Sequence, residues 1–194
     1  MRNVLIALGA LSDSDIDWVL AVGSKVKVAK GKPLVRMGQP IDALYLLLEG
    51  QFGVSVSQPS VGPSIEQPVG QPIDYQIVAQ LTAGDIVGEM SIVDSQMPSA
   101  NVTALQESWV LSIPRSQLKR HLSTDLGFAA RFYRMVALFL SSRLRVLNAQ
   151  AAGSRLSSLE AGIYDADEIA PDVLDDLALA ASRFEWILHR LDIK

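Results

Sequence analysis

Hydrophobic and polar residues alternate with a period of two through much of residues 24–114, the pattern of half-buried β-strands. In KVKV, Val26 and Val28 alternate with lysines, and in QFGVSV the residues Phe52, Val54 and Val56 alternate with polar or small ones. ALYLLLEG and QIVAQL have the composition of more fully buried strands, and VTALQESWVLSIP supplies two short strands around a turn. Glycines and prolines separate these runs, so the sequence predicts a jelly-roll β-barrel of about eight strands.

Helical patterns flank the strands on both sides. Ser12 or Ser14 can cap a short helix over Asp13–Val22. Farther along the chain, residues 115–122 predict a short helix and residues 126–148 predict one long helix. The long helix carries an apolar stripe near heptad positions, formed by Phe128, Phe132, Met135, Phe139 and Leu147. We expect half of this stripe to pack on the barrel and the rest to need a partner, most simply the same helix of a second copy.

The stretch 57–75 interrupts the strand pattern with four prolines and two glycines. It predicts an extended, mobile hairpin loop between two strands, which is either a binding loop or an unstructured insertion.

A second change of pattern follows the long helix. Gly153 and Ser154 mark a break, and residues 155–169 are expected to be loosely structured. Pro171 then opens an amphipathic helix over 171–191, with its apolar positions at Leu177, Ala181, Phe184, Leu188 and Leu191. That face either docks on its own domain or contacts a partner protein. We therefore expect one domain over residues 1–150 and a C-terminal extension over 151–194.

Composition narrows the function classes. The net charge of −4 and the sequence pI of about 5.1 argue against a nucleic-acid-binding protein, and the clustered arginines are interpreted as solvated helix faces. The absence of cysteine excludes disulfides and thiol chemistry, and His121 and His189 do not have the spacing of metal ligands. No apolar run reaches membrane-spanning length. Val4–Leu11 is interpreted as the first helix, with a weak signal peptide as the alternative, and a cytoplasmic location is expected.

Three segments resemble the cyclic nucleotide-binding domain family, which includes catabolite activator regulators and the regulatory subunits of cyclic-nucleotide-dependent kinases. They are GKPLVRMGQPIDALYLLLEGQFGV, AGDIVGEMSIVD and the SANV strand that follows. The resemblance covers about residues 5–148. It implies an α+β fold: a jelly-roll barrel with a short N-terminal helix and a long dimer-type helix, to which this chain adds its amphipathic C-terminal helix.

The same resemblance implies a phosphate-binding cassette for cAMP or cGMP. Its cradle for the cyclic phosphate maps to Gly88, Glu89, Met90 and Ser91, at the start of a short helix whose amides bind anions. Glu89 matches the glutamate that accepts a hydrogen bond from the ribose 2′-hydroxyl. The alternative role for Glu89 is that of a carboxylate capping the short helix.

Two positions depart from the family pattern. The arginine that holds the phosphate maps to Pro98, or to Ser99 if the register moves by one, although the backbone amides of Ser99 and Ala100 remain available. A charge-assisted hydrogen bond contributes roughly 1.5–3 kcal/mol, and more when its loss leaves a buried charge unpaired. This loss therefore predicts roughly 10- to 1000-fold weaker binding. Arg36 or Lys32 are the candidate replacements. The adenine-contacting positions in the long helix map to Leu147 and Asn148, and only Asn148 can hydrogen-bond to a base.

These patterns lead to two functional hypotheses. The first is a non-catalytic sensor that binds cyclic nucleotide weakly or with altered selectivity, dimerises through helix 126–148 and signals to a protein partner at helix 171–191. The second is a degenerate scaffold that binds no cyclic nucleotide. No catalytic motif or metal site is recognised, and no recognition helix is found among residues 151–194, so we expect neither enzymatic activity, direct DNA binding nor membrane insertion.

Overall fold

The structure, a computed structural model, describes residues 8–57, 75–151 and 171–193. The strands are β1 Ser24–Val28, β2 Pro33–Val35, β3 Ala43–Glu49, β4 Gln51–Ser57, β5 Tyr75–Thr82, β6 Ile86–Val87, β7 Asn101–Ala104 and β8 Ser108–Pro114. The helices are α1 Asp13–Val22, α2 Glu89–Val93, α3 Arg115–Thr124, α4 Leu126–Ala151 and α5 Pro171–Arg190. The stretches predicted as an inserted loop and as a loose connection, 57–75 and 155–169, lie almost wholly outside the described residues.

The chain separates into two compact units that are described separately below. The barrel unit comprises Ser24–Ser116, and the helical unit comprises Met1–Gly23 together with Gln117–Lys194. The division at residue 150 that the sequence suggests stays a prediction.

The barrel unit is the predicted jelly roll. Its strands form two four-stranded antiparallel sheets, in the orders β1-β8-β3-β6 and β2-β7-β4-β5. Every strand contributes at least one buried side chain to a shared apolar core, whose most enclosed members are Leu47, Phe52 and Val110. The core explains why period-two alternation is visible in the sequence, since one face of each sheet is withdrawn from water.

A β-bulge lies in β5, opposite β4. Val54 pairs with Ala79 and Ser55 pairs with Ile77, so Val78 is the extra residue, while β4 stays in register with β7 from Phe52 to Ser55. Phe52 and Val54 pack in the core, and strand alternation places Ser55 on the other face of β4, as the sequence pattern predicts. Ser55 is nevertheless buried on that face, which the hydrophobic pattern does not indicate.

In the helical unit, α1 begins with a capping box, and the buried carboxylate of that box also forms an ion pair. The Ser12 hydroxyl accepts a hydrogen bond from the Asp15 amide, and the Asp15 carboxylate accepts one from the Ser12 amide. The same carboxylate accepts two hydrogen bonds from Arg131 of α4, at 2.6 and 2.8 Å. Burial alone would raise the pKa of Asp15, but the hydrogen bonds from Arg131 and Ser12 together lower it to about 2. Arg131 is therefore not part of a solvated basic face.

The apolar stripe that the sequence assigned to both the barrel and a partner is already buried within a single chain. Phe128, Phe132, Met135 and Phe139 are each at most 2% exposed. Phe128 contacts Phe132 and also packs against Trp18 of α1 and His121 of α3. These rings thus belong to the core of the chain itself.

A second stripe runs along the exposed side of α4. Leu126 is 81% exposed, Tyr133 47% and Leu144 58%, and the residues between them on this side are small or half-buried. The stripe repeats at intervals of four and three residues, the spacing of a coiled-coil seam. We call it the outer seam, and its members are Leu126, Ala130, Tyr133, Ala137, Leu140 and Leu144.

The predicted C-terminal helix is present as α5, but it is rotated relative to the expected face. Ala180 and Ile187 are completely buried, whereas Ala181, which was expected on the buried side, is exposed. Arg183 fixes this orientation: it donates to the Asp13 carboxylate at 2.8 Å and to the Leu8 carbonyl at 2.9 Å. The last helix is therefore attached to the first residues of the described chain by one guanidinium group.

Candidate phosphate-binding cassette

The centre of the cassette is a turn that only glycine fits. Gly88 lies between β6 and α2 with a φ of +96°, in the left-handed region. A Cβ atom placed on Gly88 would lie 2.8 Å from Ile41 Cδ1 and 3.0 Å from the Ala43 carbonyl oxygen. Conformation and contact thus independently require glycine, and they place the start of α2 directly against the segment that leads into β3.

The turn before Gly88 is held by Asp85, which the sequence analysis left without a role. Its buried carboxylate accepts a hydrogen bond from the Thr82 amide at 2.7 Å. The Asp85 carbonyl accepts one from the Leu47 amide at 2.9 Å, and the Gly84 amide donates to the Leu47 carbonyl at 2.7 Å. Asp85 therefore anchors the cassette to β3.

The structure brings four of the predicted ligand residues together in this turn and the first residues of α2. Glu89 and Ser91 are buried, at 3% and 4% exposure, and Met90 is half exposed. Gly88, the N-cap residue of α2, has no side chain that could accept hydrogen bonds from the first amides of the helix. These amides also have no partner within the helix.

The other predicted ligand residues lie elsewhere. Ser99 is exposed and Ala100 half-buried in the segment before β7, and Asn148 is exposed near the end of α4 in the helical unit. The side chain of Leu147 is outside the described residues.

Pro98 is one of the two residues, with Ser99, to which the sequence analysis maps the family arginine, and its backbone forms a hydrogen bond. The Pro98 carbonyl accepts a hydrogen bond from the Gly38 amide at 2.9 Å. Three residues later, the Asn101 side-chain oxygen accepts one from the Met37 amide, also at 2.9 Å. The stretch is thus fastened to the turn after β2 at two points.

The charged side chains within the cassette segment itself are all acidic. Residues 84–104 contain Asp85, Glu89 and Asp94 but no lysine or arginine. The candidate replacements Lys32 and Arg36 are both exposed. Arg36 directly follows the last residue of β2, Val35, which is buried and pairs with Val102.

Comparison with known proteins identifies the family. The sequence profile of the cyclic nucleotide-binding domain matches residues 25–125, just over half of the chain. The chain belongs to the cyclic nucleotide-binding domain family.

Solved structures of this family share the fold. The N-terminal domain of a transcriptional regulator from Streptomyces coelicolor A3(2) is 25% identical, with a TM-score of 0.57 over 71% of this chain and 90% of that one. A cyclic nucleotide-binding domain from Methylobacillus flagellatus is 20% identical, with a TM-score of 0.62 over 77% and 82% of the two chains. The catabolite activator protein of Thermus thermophilus is 20% identical, with a TM-score of 0.55 over 94% and 84%. No curated protein sequence matches the chain significantly.

Beyond the family pattern, the structure reveals Arg115 as a cassette residue. Its guanidinium donates to the Ser91 carbonyl at 2.6 Å and to the Ile41 carbonyl at 3.4 Å. Ser91 lies in α2, so Arg115 neutralises the carbonyl end of the cassette helix. The sequence interpretation of Arg115 as a solvated helix residue was wrong because both acceptors are backbone atoms far away in sequence.

Other site types find no support in the described part of the chain. Its histidines and carboxylates form no group of three or more that could hold a metal ion. None of its helices combines the length and apolarity that crossing a membrane requires.

Proposed function

We propose that this chain is a non-catalytic regulatory module of the cyclic nucleotide-binding type whose cassette binds cAMP and cGMP weakly. The proposal rests on the observation that one part of the cassette matches the family pattern and another part does not. The turn at Gly88 and the buried Glu89 are intact, while the arginine position is Pro98, with its carbonyl bonded to Gly38.

The expected weakness follows from electrostatics. A cyclic phosphate carries one negative charge and would enter a segment that contains three carboxylates and no cation. The amides at the start of α2 can still donate to it, but the missing charge-assisted hydrogen bond contributes about 1.5–3 kcal/mol. At about 1.4 kcal/mol per tenfold, this predicts binding roughly 10- to 100-fold weaker than in a cassette with arginine, and weaker still if the phosphate is left buried and unpaired.

The test is to restore the arginine. Purified wild type, Pro98→Arg and the control Pro98→Ala are titrated with cAMP and cGMP by isothermal calorimetry. We expect Pro98→Arg to bind at least tenfold more tightly than wild type, and Pro98→Ala to resemble wild type. Micromolar binding by wild type with no gain in Pro98→Arg would contradict the proposal, since another group would then hold the phosphate. No heat from any of the three at millimolar nucleotide would favour the scaffold hypothesis instead.

We infer that the module dimerises through helix 126–148, along the outer seam rather than along the stripe that contains Phe132 and Phe139. The exposed leucines and Tyr133 of the seam supply apolar contacts, and its alanines permit close approach of two helices. Light scattering should show that Leu144→Asp gives monomers, whereas Leu138→Asp, on the same helix but off the seam, keeps the dimer. A dimer that survives Leu144→Asp would place the interface elsewhere. Phe132→Asp should unfold the helical unit instead, because Phe132 is 2% exposed.

The proposed output is a cytoplasmic protein partner, not DNA, that contacts helix 171–191. Leu179 and Trp186 are 44% and 42% exposed and lie seven residues apart, so they share one flank of α5. Exposed tryptophan is a frequent anchor of protein interfaces. A photo-crosslinking residue at position 186 should therefore give a defined adduct in cells, and the same residue at exposed Asp17 should not.

A further inference from the structure

The residue at the junction of β8 and α3 forms hydrogen bonds that the proposed phosphate contacts do not explain. The Arg115 amide donates to the Asp42 carbonyl at 2.7 Å. The Arg115 guanidinium donates to the Ser91 carbonyl at 2.6 Å and, in a longer contact, to the Ile41 carbonyl at 3.4 Å. The backbone of Arg115 is thus fixed to the segment that enters β3, and its side chain reaches from there to α2.

Arg115 lies at an unfavourable position for a cation in its own helix. It is the first residue of α3, and the first turn of α3 contains no acidic side chain. The N-terminus of a helix carries a partial positive charge, which repels a guanidinium group. The interaction that favours arginine at this position therefore lies outside α3, where its side chain meets α2.

The helix α2 lacks the length to be stable without outside contacts. It has five residues, whereas an isolated helix shorter than about 12–15 residues is marginal in water. The Asp94 amide donates to the Met90 carbonyl at 2.9 Å, as the helix ends. Ser91 has the next carbonyl in the chain, and its partner is the Arg115 guanidinium. A cation at the last carbonyls of a helix satisfies an acceptor and also matches the partial negative charge there. Arg115 is thus the C-terminal cap of α2.

The segment 41–43 contacts both ends of α2. At the start, a Cβ atom on Gly88 would lie 2.8 Å from Ile41 Cδ1 and 3.0 Å from the Ala43 carbonyl oxygen. At the other end, Arg115 joins the Ser91 carbonyl to the carbonyl of Ile41. Removal of the guanidinium would release the C-terminal end of α2, while the packing at Gly88 would still hold its start.

We propose that Arg115 is a positioning residue of the cassette: by capping α2, it fixes the direction of the turn at Gly88 without contacting the phosphate itself. The consequence for affinity rests on the proposed nucleotide binding. The dependence of α2 on Arg115 does not, and it holds in the protein without ligand.

The first test is made without nucleotide. Backbone amide exchange of residues 89–94 is measured by NMR in wild type and in Arg115 variants. Arg115→Gln should exchange about tenfold faster or more, because a hydrogen bond to a charged group is lost. Arg115→Lys, which keeps the charge on a single nitrogen, should show a smaller increase and provides the same comparison if the glutamine variant does not fold. Arg120→Gln is the matched control, since Arg120 is an exposed residue of the same helix whose guanidinium bonds to Gln117. Wild-type exchange rates in Arg115→Gln would overturn the proposal.

The second test measures cAMP affinity by calorimetry in the Pro98→Arg protein. Adding Arg115→Gln should weaken binding about tenfold at unchanged stoichiometry, and adding Arg120→Gln should not. With Arg115→Ala in the same protein, millimolar guanidinium chloride should restore part of the affinity, whereas urea at the same concentration should not. A lost fold would show no such selectivity. Faster exchange in α2 with unchanged affinity would overturn the positioning role. If Pro98→Arg itself gained no affinity, the proposed nucleotide binding would fail, and the exchange rates would still decide whether Arg115 holds α2.

Discussion

The ion pair between Asp15 and Arg131 makes the stability of the helical unit depend on pH. The folded pKa of Asp15 is about 2, against an ordinary value of 3.8. A lowered carboxylate pKa means that the folded state favours the charged form, so the stabilisation is complete above the unfolded pKa and disappears as the pH falls through the folded pKa. At about 1.36 kcal/mol per pKa unit, the contribution near neutral pH is about 2.4 kcal/mol. About 1.3 kcal/mol of it remains at pH 3 and about 0.4 kcal/mol at pH 2.

The substitution Asp15→Asn removes this titration while keeping the shape of the side chain. Free energies of unfolding are measured by urea denaturation, with circular dichroism as the signal, for wild type and variant between pH 6 and pH 3. We expect the difference between the two proteins to shrink by about 1 kcal/mol over this range. Asp17→Asn, which removes an exposed carboxylate from the same helix, controls for the loss of one negative charge and should show a smaller effect. A difference of equal size at pH 6 and pH 3 would refute the assigned role of Arg131.

Three further predictions concern the cassette and the last helix. Gly88→Ala should lower the free energy of unfolding by about 2–4 kcal/mol in urea denaturation, whereas Gly31→Ala, which has a similar φ but open space around it, should lower it by only about 1 kcal/mol. Equal losses in the two variants would exclude the contact with Ile41 as a cause. Arg183→Gln should increase the rate of backbone amide hydrogen exchange in α5 about tenfold or more, whereas the control Arg190→Gln should leave it unchanged. Unchanged exchange in Arg183→Gln would show that the contacts with Asp13 and Leu8 do not hold the helix. In the arginine-restored protein, Glu89→Gln should weaken cAMP binding about tenfold by calorimetry, and undiminished affinity would exclude the ribose contact.

The barrel could be predicted from sequence because its signals are local. Strands with one buried face alternate, and glycines such as Gly88 mark the turns between them. The bulge at Val78 could not be predicted, since QIVAQL has the composition of one uninterrupted buried strand.

The long helix shows a different limit. Heptad counting finds both the stripe that contains Phe132 and the seam that contains Tyr133, but periodicity does not say which of them the chain buries in itself. In the structure the larger aromatic stripe is internal, and the mixed stripe of leucines, alanines and one tyrosine is exposed. Apolar size is the sequence signal that agrees with this choice, because the stripe that is buried contains three phenylalanines.

Only part of the cassette could be predicted from the sequence. The glycine–glutamate turn has a recognisable pattern, whereas Arg115 is separated by 24 residues from Ser91 and by 74 from Ile41. Its partners are carbonyl oxygens, which every residue possesses, so no residue type in the sequence indicates the contact.

The ion pairs that α1 forms with α4 and α5 have a consequence for the order of folding. Asp15 meets Arg131 across 116 residues, and Asp13 meets Arg183 across 170. At about 5–20 residues per second, the ribosome synthesises Arg131 roughly 6 to 23 s after Asp15, and Arg183 roughly 9 to 34 s after Asp13. The sequence of the barrel unit ends at Ser116, so the barrel can fold before the helices that contact α1 have been synthesised. Helix α1 is therefore synthesised before the barrel but covered only after α4 and α5 have been made, and its apolar side, with Ile16 and Val19, must avoid aggregation during that interval.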